Sequence, residues 1–134
     1  MKLIDTNVLL DLVTNDARWS AWSEARLEAA ALAGGLVIND IVYAELSIRC
    51  RRIEALDEMP DRAAIAAVSI PRAALFLAGK AFQLDRAAGG VRTGALPDFV
   101  IGAHAMVEGW PLLTRDARRF RGNFPQISLI APTA

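Results

Sequence analysis

The sequence predicts an α/β domain, with a mostly parallel sheet covered by helices on both faces. Three observations predict it. Short apolar runs alternate with longer stretches of helical periodicity. The apolar runs are nearly free of charge, as strands buried on both faces must be. The helical stretches begin at Asn, Asp or Pro and stop at Gly, the usual punctuation of helix ends. A length of 134 residues suits one domain, residues 1–134, with a proper core. No repeat, low-complexity tract or long linker divides it.

The opening stretch MKLIDTNVLLDLVT organises the rest. Leu3 and Ile4 form a short buried strand that ends at Asp5, and a helix opens at Thr6 or Asn7. A carboxylate at the carboxyl end of a buried strand stands where open α/β sheets bind their ligands. Arg18 to Ala33 is Ala-rich and helical, with Trp19, Trp22, Ala25 and Leu32 among its apolar positions, and Gly34 and Gly35 end it. Leu36 to Ile38 is the second strand. Asn39 or Asp40 caps a helix from Ile41 to about Arg52. A shorter helix covers Ile53 to Met59 and stops at Pro60; Asp61 to Val68 reads as helix or turn. Pro71 starts a helix through about Ala88, closed by Gly89 and Gly90, and Val91 to Leu96 is a loop. Pro97 starts a helix to about Glu108, ended by Gly109. Trp110 to Thr114 is a strand, Ala117 to Phe120 at most one helical turn, and Ile127 to Ile130 the last strand.

The hydrophobic share of 54% and mean hydropathy of +0.29 imply extra apolar surface, such as a dimer or partner face. The longest uncharged run, Gly122 to Ala134, is too short to cross a bilayer and is broken by Pro125. The first strand begins so near Met1 that no signal peptide is expected. One cysteine, Cys50, forms neither an internal disulfide nor a cysteine metal site. These features place the chain in the cytoplasm. Net charge is zero, so charge alone does not announce a nucleic-acid binder. Its distribution says more: all the basic residues but Lys2 and Lys80 are Arg, the better fork for phosphate. Arg49, Arg51 and Arg52 form one run, and Arg115, Arg118, Arg119 and Arg121 another.

Several acids break the local pattern. At about 100° per residue, Glu45 falls in the middle of the apolar arc of Ile41, Val42, Leu46 and Ile48. A buried carboxylate there needs a cation, a proton or an opening to water. An ion pair with Arg49, one turn on, is the plainer explanation. Asp98 stands at a helix start, where it can cap free N–H groups. The stretch from Phe99 to Val107 has no charge at all, so its surroundings are buried, and Gly102, one turn on, leaves room beside the carboxylate. Asp116 follows Leu112, Leu113, Thr114 and Arg115, repeating the opening order of strand, hydroxyl and acid. Asp11, Asp16, Asp57, Glu58, Asp61 and Asp85 read as solvated or capping residues.

Asp5, Glu45, Asp98 and Asp116 can therefore converge at one edge of the sheet. Four such acids cannot all ionise together without a cation. All-oxygen ligation selects Mg²⁺ or Mn²⁺ over zinc. That set suits metal-assisted phosphodiester hydrolysis, with Arg49 and Arg115 at the rim offsetting the repulsion of a polyanion.

Asp-Thr-Asn at the first strand, Glu45 in mid-helix, Pro-Asp-Phe-Val-Ile-Gly-Ala-His-Ala, and Leu-Leu-Thr-Arg-Asp with Phe120 soon after together resemble the PIN domain. The chain is more closely similar to the VapC toxins of bacterial toxin–antitoxin pairs, over nearly its whole length. The resemblance implies a three-layer α/β/α fold and a Mg²⁺-dependent endoribonuclease, with Mn²⁺ as substitute. It also implies a homodimer, and inhibition by a VapB-like antitoxin whose tail enters the active-site groove. By position, Asp5 and Asp98 would be the principal metal ligands, Glu45 the third acid and Asp116 the fourth. Thr6, Asn7 and Thr114 would orient carboxylates or water, and Arg49, Arg115 and Arg118 would contact RNA.

His104, six residues beyond Asp98, faces a different side of its helix and reads as packed or surface histidine. A phosphoacceptor receiver needs a lysine after a late strand, and neither lysine is there. A haloacid-dehalogenase-type phosphatase needs a second Asp where Asn7 stands. A housekeeping RNA-processing nuclease without an antitoxin and a non-catalytic PIN-like interaction domain remain as alternatives.

Overall fold

The computed structural model describes residues 1–89 and 95–132. Among them five strands form one sheet: β1 (Lys2–Ile4), β2 (Leu36–Asn39), β3 (Ile65–Val68), β4 (Leu112–Leu113) and β5 (Leu129–Ile130). Their order is β3-β2-β1-β4-β5, and every pairing is parallel. β1 is central: Leu3 pairs with Val37 on one side and Leu112 on the other, and Ile4 with Leu113. Leu3, Ile4, Val37, Ile38, Leu112 and Leu113 are wholly buried. Each such side chain contributes about 1.5–3 kcal/mol by leaving water.

The helices α1 (Thr6–Val13), α2 (Ser20–Leu32), α3 (Asp40–Ser47), α4 (Ile53–Ala63), α5 (Arg72–Ala87), α6 (Leu96–Glu108) and α7 (Arg118–Arg121) flank this sheet. The starts of α1 and α3 follow from side-chain caps. The Asp5 carboxylate accepts the Thr6 N–H at 2.8 Å, and the Asn39 side-chain oxygen accepts the Val42 N–H at 3.0 Å. Gly109, at φ +71°, ends α6 in the left-handed conformation that glycine adopts without strain. The architecture is the α/β sheet with helical layers that the sequence predicts.

Three elements and one glycine differ from expectation. β3 was read as helix or turn, because Ile65-Ala-Ala-Val68 holds two alanines and little β-propensity. α4 runs through Pro60 to Ala63 instead of stopping before it. Leu56 and Pro60 are both buried one turn apart, so packing offsets the lost backbone bond. α3 ends at Ser47, not Arg52; the Ser47 hydroxyl turns back onto the Ala44 carbonyl at 2.6 Å. Ile48 thereby leaves the apolar arc and is exposed. Gly102 leaves no room beside Asp98, because the Phe124 ring fills the space over it. The predicted loop over 91–96 lies mostly outside the described residues, and Leu96 already belongs to α6.

His104 is packed, as expected, and wholly buried. Its Nδ1 lies 3.0 Å from the Asn39 side-chain nitrogen. Since the Asn39 oxygen is taken by Val42, the amide nitrogen donates to Nδ1 and the ring proton sits on Nε2. This bond ties α6 to the start of α3. Burial holds the His104 pKa below its ordinary value, against a smaller upward pull from Glu108 and Asp40. A depressed folded-state pKa adds stability that is present above about pH 6.5, the unfolded value, and is lost as pH falls through the folded value. Melts of wild type and His104→Gln between pH 7.5 and 5 should show the steeper acid loss in wild type. Carboxylate contributions cancel in that difference, and parallel curves would overturn the reading.

Candidate active site

The chain builds outward from β1 to β3, then crosses to β4 and β5 on the other side. The crevice beyond the carboxyl ends of β1 and β4 is thus a topological switch point, where open α/β sheets place ligands. Asp5 follows β1 there and is wholly buried. Its oxygens accept the Thr6 N–H and the Thr114 hydroxyl, each at 2.8 Å, and Arg119 Nη2 also donates to it. Thr114, just past β4, in turn accepts the Asp116 N–H at 3.0 Å.

α6 brings Asp98 to the same place, where Arg119 Nη1 donates to it at 2.7 Å. α3 brings Glu45, which accepts the Thr6 hydroxyl at 2.5 Å; it makes no ion pair with Arg49. Asp116 stands at the margin, partly exposed, 3.7 Å from Arg119 Nε. One guanidinium thus faces Asp5, Asp98 and Asp116 together. Burial raises the Asp5 pKa despite Arg119 and the Thr114 and Thr6 hydrogen bonds. Burial also raises that of Asp98, with Arg119 opposing and the charges of Asp5 and Glu45 adding to the rise. The three acids are near enough to act on one another.

The predicted supporting residues have distinct places. Thr6 joins Asp5 to Glu45, and Thr114 fixes Asp5. The Asn7 side-chain oxygen accepts the Arg115 N–H at 3.2 Å. Arg49 and Arg118 are exposed. Arg115 is drawn inward: its Nε donates to Asp11 at 3.0 Å and its guanidinium lies 5.5 Å from the Trp19 ring. Asp11 is therefore not a solvated residue; it is buried and also accepts the Ser23 hydroxyl at 2.7 Å. Arg119 was read only as a member of a basic run. Its spacing of one helical turn from Asp116 was the available signal, but its reach to Asp5 and Asp98 is a tertiary fact.

Two clefts border the acids. One of about 250 Å³ is lined by Thr6, Asn7, Glu45, Arg49 and Arg119 among others. The other, about 720 Å³, is lined by Asp116, Arg115, Arg118, Arg121, Arg18 and Trp19 among others. Asn7, which lines the first, accepts the N–H of Arg115, which lines the second.

Among the described residues no three His, Cys, Asp or Glu side chains are gathered as ligands of a single ion. Asp5 and Asp98 nevertheless aim their oxygens at one shared cation, the guanidinium of Arg119. An all-oxygen pair of this kind, with Glu45 close by, fits a hard divalent cation and not zinc.

Fold and site together define an α/β domain with an acidic pocket at the switch point of a parallel sheet. The sequence matches the PIN domain family over residues 2–123, and the chain belongs to that family. Solved structures share its fold. VapBC2 from Rickettsia felis, bound to a promoter DNA fragment, is 19% identical with a TM-score of 0.76 and covers 98% of each chain. DNA-bound VapBC from Salmonella typhimurium is 17% identical, TM-score 0.73, again over 98% of both chains. VapBC-1 from nontypeable Haemophilus influenzae is 19% identical, TM-score 0.72, over 97% of this chain and 96% of that one. Among curated proteins no significant sequence match is found.

Proposed function

We propose that the chain is a divalent-metal-dependent endoribonuclease and the toxin of a VapBC-type toxin–antitoxin pair. The observation that carries this reading is the pair of carboxylates, buried Asp5 and half-buried Asp98, turned onto one cation at the switch point. When bound, Mg²⁺ or Mn²⁺ would supply Lewis-acid polarisation of a phosphate and an activated water. Asp5 and Asp98 would hold it, with Glu45 next to them and Asp116 at the margin. Thr6 and Thr114 keep the carboxylates in orientation, and Asn7 holds the β4 loop by the Arg115 N–H. Outer contacts of this sort typically change metal affinity or activity 10–100-fold.

RNA is the substrate that suits the rim. Two adjoining clefts let a strand lie on either side of the acids, with Arg49 on one side and Arg118 on the other. Arg115 shares its charge with Asp11 and contributes less. An RNA substrate implies action in the cytoplasm, and among the described residues no helix is long and apolar enough to cross a membrane. A VapB-like antitoxin and a second copy of the chain are the proposed partners. Exposed Phe76 and Leu84 on α5, Ile48 at the smaller cleft and Ile53 at the start of α4 offer apolar surface for them.

The test is direct. Purified protein should cleave RNA with Mg²⁺ or Mn²⁺, and a chelator or Asp98→Ala should abolish cleavage. Cleavage indifferent to the chelator would overturn the metal, and no cleavage with either ion would favour a non-catalytic interaction domain.

A further inference from the structure

We propose that Arg119 is a built-in counter-ion of the acidic site, which a divalent cation must displace from Asp5 and Asp98 in order to bind. The inference rests on the metal-nuclease reading and adds a control of the same site.

Four observations carry it. First, the guanidinium divides its two terminal nitrogens between Asp5 and Asp98, the carboxylates that would hold the ion. The same oxygens cannot serve both cations at once. Second, among the described residues no other basic group takes this part. Arg115 is committed to Asp11, Arg118 is almost wholly exposed, and Arg49 makes no ion pair with Glu45. Removing charge from beside buried Asp5 and half-buried Asp98 leaves them uncompensated, so one cation or another is favoured there. Third, the resting arrangement is incompletely bonded. Arg119 Nε is buried without a hydrogen-bond partner. Fourth, a second seat lies next to it. Asp116 Oδ2 is 3.7 Å from that same Nε, on the partly exposed side. A small swing toward Asp116 would pair the orphaned N–H and free the two inner carboxylates.

Arg119 and the ion then compete. Without metal, the arginine keeps the acids neutralised. With metal, Asp116 receives the guanidinium, and this acid serves as its alternative partner. The coupling is reciprocal, because whatever Arg119 costs the ion in affinity, the ion costs Arg119 in its contacts.

Two measurements test this without relying on cleavage. Calorimetric titration of Mn²⁺ should show Arg119→Gln binding about tenfold more tightly than wild type, or better. In chelator the same variant should melt lower than wild type, and saturating Mn²⁺ should recover that deficit. In the unaltered protein, a Mg²⁺ titration followed by NMR of the arginine side chains should move the Arg119 Nε resonance in step with saturation. Equal or weaker Mn²⁺ binding by Arg119→Gln overturns the exchange, as does an Arg119 resonance that ignores Mg²⁺; the nuclease reading survives both results if wild type binds the ion. Failure of wild type and variant alike to bind either ion overturns the exchange and the metal-nuclease reading together.

Discussion

Asp5→Asn is expected to lower RNA cleavage at least about a hundredfold, the upper range for loss of even an outer-sphere partner, while leaving the chain folded. Asparagine keeps the shape of Asp5 and one acceptor oxygen, so the Thr6 N–H can still be capped. It removes the charge that faces Asp98 across Arg119. The stability side has a definite sign. The folded-state pKa of Asp5 is raised by burial. A raised pKa gives stability that is present below the unfolded value, about 3.9, and lost as pH rises through the folded one. An ionised Asp5 is therefore held at a cost, which asparagine does not incur. Weaker pairing with Arg119 offsets part of this gain. The melting temperature at pH 7 should stay within about 5 °C of wild type. Gel-resolved cleavage and circular-dichroism melts on the same preparation check both parts. Wild-type cleavage by a folded Asp5→Asn would remove Asp5 from the chemistry.

The second large effect is structural. Gly102→Ala should destabilise the protein by about 1–3 kcal/mol, the ordinary range for overpacking a core. A Cβ built on Gly102 would lie 2.5 and 2.6 Å from two carbons of the Phe124 ring. That ring is buried against Phe99, with centroids 6.1 Å apart, and cannot simply turn away. Denaturant unfolding should show the loss, and Phe124→Leu in the Gly102→Ala background should restore part of it. Since Gly102 is one turn from Asp98 on α6, cleavage should fall along with stability. An unchanged unfolding midpoint would mean that the ring has somewhere to go.

These two residues also show where sequence reading succeeds and where it stops. Asp5 was legible because a strand and a capped helix meet at it, a pattern confined to a few neighbouring residues. Asn39 and Gly109 were legible for the same local reason, and so was the sheet, from the alternation of strand and helix. Gly102 was noticed but misjudged: a missing side chain marks a close approach without saying what approaches. β3 was hidden by its alanines, whose strand conformation comes from pairing with β2 along its whole length. Asp11 looked like surface because its partners, Ser23 and Arg115, come from elsewhere in the chain. Arg119 was visible only as one arginine among several. Its three carboxylate neighbours are brought to it by β1, α6 and the β4 loop, and no window of sequence contains them all.

The span between Asp5 and its partners bears on how the protein is made. Asp5 directly follows the first strand, and Thr114 and Arg119, which complete its surroundings, come 109 and 114 positions later. A nascent chain on the ribosome therefore carries Asp5 through the synthesis of all the intervening residues before it can close the pocket around it. Under the ribonuclease reading proposed above, that order of assembly would keep unfinished copies harmless to the messenger and ribosome still producing them.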